Sequence, residues 1–154
     1  GITFLDVSTG EFLTAEGNEE YIDKLLQNFR PSEVLVSKQQ KADFKQNFGE
    51  DFHVFYLEDW IYKEDYAFEV LTKHFETISL KGFGIEELKE GIIASGAILY
   101  YYHSKHDFEI LSKCTRVSKS VWDNSWSYRI GGNGCEPHQA TSVCPVHYCH
   151  NGVQ

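Results

Sequence analysis

Methionine is missing from all 154 residues, position 1 included, where the chain has Gly1. A natural start is therefore not represented, and a piece excised from a longer protein is the expectation. Cysteine is missing from the first 113 residues; the four present, Cys114, Cys135, Cys144 and Cys149, all follow. A disulfide-built fold is excluded for that first stretch, and a reducing, cytoplasmic origin is expected. No apolar run approaches the roughly 18 residues a membrane span needs. The longest, Gly91 to Tyr102, reads as a buried helix, and no basic-then-apolar leader opens the chain. There is no Gly-x-x-x-x-Gly-Lys-[Ser/Thr] phosphate loop, so no nucleotide hydrolysis of that type is expected. Bases are scarce, with 14 Lys and Arg against 23 Asp and Glu for a net charge of -9. Affinity for DNA comes largely from cations that displace its counterions, so this chain alone is not expected to bind nucleic acid.

What is present suits one domain with an appendage. Apolar residues make up 42% and aromatics 15%, enough to bury a normal core. The charge is uneven. Residues 1–103 carry 19 acids and 9 bases, whereas residues 104–154 carry 4 acids and 5 bases. Composition thus divides the chain near His103 into a domain, 1–103, and an atypical tail, 104–154.

Ile2 to Val7 reads as a strand, Ser8-Thr9-Gly10 as a turn and Glu11 to Ala15 as a second strand, giving an opening hairpin. Asn18 is an N-cap candidate, with Glu19 and Glu20 suited to a helix N-terminus. Tyr21, Ile22, Leu25, Leu26 and Phe29 form a helical stripe that Pro31 stops. Glu33 to Ser37 is a short strand whose Val34-Leu35-Val36 suits burial on both faces. Lys41 to Phe48 reads as a helix closed by Gly49, and Phe52 to Leu57 as a strand. Asp65 to Phe75 reads as a helix with Phe68, Leu71 and Phe75 on one face. Lys81 to Gly84 is loop material, and Ile85 to Tyr102 is a last helix with a small-residue patch at Gly91, Ala94, Ser95 and Ala97. The order β-β-α-β-α-β-α-α implies an α/β fold with a mixed sheet flanked by helices. Beyond His103 periodicity is weak, with Trp122, Trp126 and Tyr128 among polar residues and Gly131 to Gly134 as a loop.

The segment Phe4 to Phe12 is the most specific. An acid, Asp6, on a first strand followed by a Gly turn looks like the start of a ribonuclease H-like sheet. In nucleases of that fold such an Asp helps hold a divalent metal, and two-metal hydrolysis needs several converging carboxylates. The other acids, Glu33, Glu58 and Asp59, sit at strand ends or in loops without evident convergence. Asp6 is therefore expected to fix the strand-to-turn geometry, with a metal-dependent nuclease as the alternative.

Gly1 to Phe12, Pro31-Ser32-Glu33-Val34-Leu35 and Leu80-Lys81-Gly82-Phe83-Gly84 resemble, in that order, the connector domain of the MutS family of the Bacteroidetes type. The helix through Ala94 to Tyr101 resembles that domain's exit toward the core and lever region. The resemblance runs from Gly1 to about Tyr102. It implies a non-enzymatic domain that carries conformational change between the mismatch-reading and ATPase regions and presents surface to MutL. It implies as partners the other MutS domains and MutL, with mismatched DNA, ATP and Mg bound by the parent only, and no membrane. No catalytic or cofactor-binding residue is expected in this segment.

The tail holds a rival constellation. Cys135-x2-His138 and Cys144-x2-His147 supply two thiolate–imidazole pairs, a zinc-type ligand set, with Cys149 and His150 adjacent. A chance cluster is preferred and no metal is assigned, because the Arg- and Asp-rich continuation that the resemblance implies does not follow His103, and residues 104–154 are therefore expected to be non-native or frameshifted. A small zinc-binding interaction module is the alternative. His53 and His74 read as packed or surface histidines. Trp60 reads as a core or edge anchor, with a protein-binding role as the minor alternative. Tyr100-Tyr101-Tyr102 is too dense for one helix face, so at least one ring is expected to be exposed or covered by a further domain.

Overall fold

A computed structural model describes residues 1–119 and the backbone of residues 145–148. Strands β1 (Ile2–Leu5) and β2 (Phe12–Ala15) form the opening hairpin, pairing Ile2 with Ala15 and Leu5 with Phe12. Helix α1 (Glu19–Phe29) follows, capped where the Asn18 side chain accepts from the Tyr21 N–H at 2.9 Å. Such a cap is worth about 1 kcal/mol. Strand β3 (Glu33–Ser37), helix α2 (Lys41–Phe48) and strand β4 (Val54–Leu57) come next, with β3 and β4 parallel in register Val34 to Val54. A 3-10 turn over Asp59–Tyr62 leads to α3 (Glu64–His74), and α4 (Lys89–Ser104) follows a second 3-10 turn, Lys81–Phe83. The element order read from the sequence holds through α4.

Three further elements lie where periodicity was weak: α5 (Phe108–Lys113), β5 (Val117–Lys119) and β6 (Pro145–Tyr148). The sheet order is β4-β3-β6-β1-β2-β5, with β5 parallel to β2 and β6 between β3 and β1. The change of composition at His103 is not a break in packing. Leu111, Cys114 and Val117 are buried in the same cluster as Leu5, Phe12 and Ile98. These elements are too short for their periodicity to stand out. Their apolar positions, three apart, become meaningful only against the sheet.

Two cores sandwich the sheet. On one face, Ile2, Phe4, Val34 and Val36 meet α1 and α2 through Ile22, Leu25, Leu26 and Phe44. On the other, Leu5, Phe12 and Leu35 meet α3 and α4 through Ala67, Leu71, Ile98 and Leu99. Alternation along β1 and β3 sends successive side chains to opposite faces. Val34, Leu35 and Val36 are all fully buried, as a strand covered on both sides requires.

Several local expectations change. The last helix starts at Lys89, not Ile85, because Ile85 to Leu88 forms its own turn, with the Leu88 N–H donating to the Ile85 carbonyl at 2.8 Å, and buries both apolar residues. Phe68 is 41% exposed, off the packed face that Leu71 and Ala67 make. None of the three consecutive tyrosines is fully exposed: Tyr101 and Tyr102 are buried and Tyr100 is half-buried. Helix α4 touches the sheet, α3 and α5, so it is enclosed on more than one side.

Candidate functional site

The acids come first. One oxygen of Asp6, Oδ1, accepts from the Ser8 N–H at 2.8 Å, the Ser8 hydroxyl at 2.6 Å and the Thr9 N–H at 3.3 Å. The Gly10 N–H donates to the Asp6 carbonyl at 2.7 Å, and Gly10 has φ +75. Asp6 therefore organises the β1–β2 turn, which ends on a residue in the left-handed region that favours glycine. Glu33 opens β3 and accepts from the Tyr101 hydroxyl at 3.3 Å. Glu58 and Asp59 follow β4, which runs parallel to β3, and so lie at the opposite end of the sheet. Asp59 accepts from the Ser37 hydroxyl at 2.8 Å and the Gln39 N–H at 3.1 Å, and Glu58 pairs with Lys38. Among the described residues no group of three or more His, Cys, Asp or Glu side chains is placed to hold a metal ion.

Cys135, His138 and Cys144 lie outside the described residues, as do Cys149 and His150. Of His147 only the backbone is described, paired with Thr3 and Leu35.

The lone histidines have distinct settings. His53 lies edge-on to Phe55, its ring centroid 4.8 Å away. His74, the last residue of α3, has Nε2 2.8 Å from the Cys114 carbonyl, so that nitrogen carries the proton and donates. Its ring centroid lies 5.8 Å from that of His103. Burial pushes the His103 imidazole below its ordinary value, with His74 and Lys73 adding to the shift. Burial pushes the Cys114 thiol up to about 11. The Tyr102 phenol is pushed well above its usual range by burial, reinforced by Glu33.

Sequence reasoning did not identify a buried hydroxyl cluster joining the hairpin to α4. The Thr3 hydroxyl donates to Thr14 Oγ1 at 2.9 Å, with Ser95 Oγ 3.1 Å away, and Ser95 donates to the Gly91 carbonyl at 2.7 Å. A Cβ on Gly91 would stand 2.4 Å from Thr14 Oγ1, so the small-residue patch is where helix and hairpin meet. A legible signal was the pair of threonines facing each other across the expected hairpin.

The exposed chemistry lies on the turn before α3 and on α3 itself. Trp60 is 50% exposed and edge-packs on Tyr66 at 5.1 Å and Tyr100 at 5.4 Å. The exposed side of α3 presents Glu64, Asp65, Phe68 and Glu69. Between α3 and α4 a groove of about 430 Å³ is lined by Tyr66, Val70, Lys73, His74, Tyr100 and His103. Trp60 is thus a surface ring held edge-on by two tyrosines, with half of it exposed.

The sheet covered by helices on both faces defines a mixed α/β domain. Residues 1–113 match the family described as MutS domain II, and the chain belongs to that family. It is 79% identical over 133 residues to the DNA mismatch repair protein MutS of Flavobacterium psychrophilum, covering 84% of this chain and 15% of that relative. It is 81% identical over 133 residues to that of Flavobacterium johnsoniae, with the same 84% and 15% coverage. The MutS of Christiangramia forsetii is 56% identical over 133 residues, again covering 84% of this chain and 15% of the relative. A share of 84% is more than residues 1–103 can supply, so the similarity reaches beyond His103. The chain spans about 15% of the length of these relatives. Among the described residues no helix is long and apolar enough to cross a membrane.

Proposed function

We propose that this domain is the connector of a MutS mismatch-repair protein. It carries conformational change between the mismatch-binding and ATPase regions and offers a docking surface to MutL. The carrying observation is the match to MutS domain II over 1–113, at high identity to relatives named DNA mismatch repair protein MutS. The packing supports a mechanical role. Helix α4 is locked to the hairpin by buried hydroxyls and to α3 by direct contact of Gly96 with Ala67, so the domain moves as one body. We infer a ribonuclease H-like fold for the sheet, supported by its hairpin, the parallel β3–β4 pair and helices on both faces. In this reading the domain has no catalytic step of its own. The commitment of Asp6 Oδ1 to three donors of the turn supports that view over a metal-dependent nuclease. Mismatched DNA, ATP and Mg belong to the parent, which works in the cytoplasm.

The test uses the full-length parent with MutL. Hydrogen exchange is followed with and without MutL in each nucleotide state, and slowed exchange within residues 58–74 in the ATP state is expected. No change anywhere in residues 1–119 in any nucleotide state sinks the docking role.

A further inference from the structure

We propose that His74 and His103, which stand at the C-terminal ends of α3 and α4, form a two-imidazole site for a zinc-class divalent cation that clips the two helix ends together. The site goes beyond the connector role and does not depend on it. The two rings are nearly perpendicular, at 80°, with centroids 5.8 Å apart. A zinc–imidazole bond of about 2.0–2.1 Å puts each ring centre about 3.2 Å from the ion, so two rings at a tetrahedral angle lie about 5.2 Å apart. The observed spacing needs only a small adjustment, and His103 is exposed and able to make it.

His74 is oriented as a ligand needs to be. Its Nε2 donates to the Cys114 carbonyl at 2.8 Å, which leaves the lone pair on Nδ1. The two ring nitrogens point in nearly opposite directions, so Nδ1 is turned away from that carbonyl. Metal-bound histidines characteristically hold their second nitrogen in such a bond, which fixes the tautomer and raises the basicity of the ligating one. Among the described residues no hydrogen bond occupies Nδ1 of His74 or either ring nitrogen of His103. Phe75 packs edge-on against His74 at 4.9 Å and steadies the ring.

The surroundings are mixed in charge. His74 is the last residue of α3, and His103 lies in the last turn of α4. Each helix C-terminus carries roughly half a negative charge, which favours a cation. Glu76 lines the hollow next to both histidines, whereas Lys73 lines the groove with them and opposes a cation. Among the described residues no third His, Cys, Asp or Glu completes a metal-holding group. Water therefore fills the other positions, and two imidazoles select zinc rather than magnesium. Affinity on the order of 10 μM is expected, far weaker than a four-ligand site.

The experiment titrates the 154-residue chain with zinc chloride at neutral pH, followed by calorimetry and imidazole nitrogen NMR. For calorimetry Cys135, Cys144 and Cys149 are replaced by Ser and His138, His147 and His150 by Gln, so that the tail does not compete; the NMR spectra are also recorded on the unaltered chain. One equivalent is expected to bind, with His74 ligated through Nδ1 and still protonated at Nε2. His74→Gln, which keeps a donor for the Cys114 carbonyl, and His103→Gln are each expected to weaken binding by about tenfold or more. Urea unfolding without zinc checks that both variants fold. Lys73→Gln is expected to tighten binding by about threefold, a gain that damage to the fold does not produce. Unchanged affinity in either histidine variant, ligation of His74 through Nε2, or no response of the His74 and His103 signals at about 100 times the expected dissociation constant overturns the proposal.

Discussion

Gly96 of α4 lies directly against Ala67 of α3, where a methyl group added at 96 would stand 2.6 Å from both the Cα and the Cβ of Ala67. The contact is backbone against backbone, so no flexible side chain can yield. Gly96→Ala is expected to force the helices apart and destabilise the domain by about 1–3 kcal/mol, although alanine is the better helix former. Urea unfolding at constant m-value measures it; a gain in stability would show that the two helices separate without cost.

The buried hydroxyls give a second prediction. Thr3 Oγ1 meets both Thr14 and Ser95, so Thr3→Val keeps the shape and leaves their hydroxyls with fewer partners. A loss of about 1–3 kcal/mol is expected. The double variant Thr3→Val with Ser95→Ala should cost less than the sum of the singles, because the two residues share one interaction. Strict additivity in the unfolding free energies would contradict the cluster.

Asp6 acts through its turn. Asp6→Ala is expected to cost about 1 kcal/mol, and Asp6→Asn less, since the amide oxygen can still accept from Ser8 and Thr9. Thermal unfolding with and without Mg²⁺ separates this role from metal binding. Stabilisation by Mg²⁺ in the wild type that disappears in Asp6→Asn would favour the nuclease reading.

His103 makes stability depend on pH. Its folded-state value is lowered from an ordinary 6.5, chiefly by burial. As pH falls below 6.5 the unfolded chain binds the proton first, so stability present above that value is lost on acidification. His103→Gln is expected to flatten the stability profile below pH 6.5. An unchanged slope in that variant would assign the acid sensitivity to other groups.

Cys114 should be inert in the folded protein. It is buried and its thiol is raised to about 11, so little thiolate forms at pH 8. Alkylation mapped by peptide mass is expected to leave Cys114 unmodified in buffer and to modify it in denaturant. Rapid labelling in buffer would place the α5–β5 link outside the core.

Much of this architecture was legible because local chemistry and tertiary packing agree. Asn18 caps α1, Gly49 closes α2, and Val34-Leu35-Val36 is buried on both faces as its composition demanded. The failures came where packing overrides pattern. Phe68 fits the helical stripe of α3, yet α4 meets that helix through Ala67 and Leu71 and leaves Phe68 open. Adjacent Tyr101 and Tyr102 are both buried, which no single-face reading of a helix permits; it takes a helix enclosed on several sides. Elements of three to six residues, such as β5 and α5, carry too few periods to be recognised alone. Trp60 could be read as an anchor from the sequence, but only the fold shows its ring held by Tyr66 and Tyr100 with half of it exposed.

The pairing of β2 with β5 sets a timetable for synthesis. Phe12 faces Val117 across the sheet, so the strand that covers the hairpin's outer edge emerges from the ribosome about a hundred residues after the hairpin itself. At about 5–20 residues per second the nascent chain waits several seconds with that edge uncovered. An open β edge invites pairing with the wrong neighbour. Truncation before Val117 makes this delay permanent, and ribosome-bound chains of that length should be the ones that chaperones hold longest.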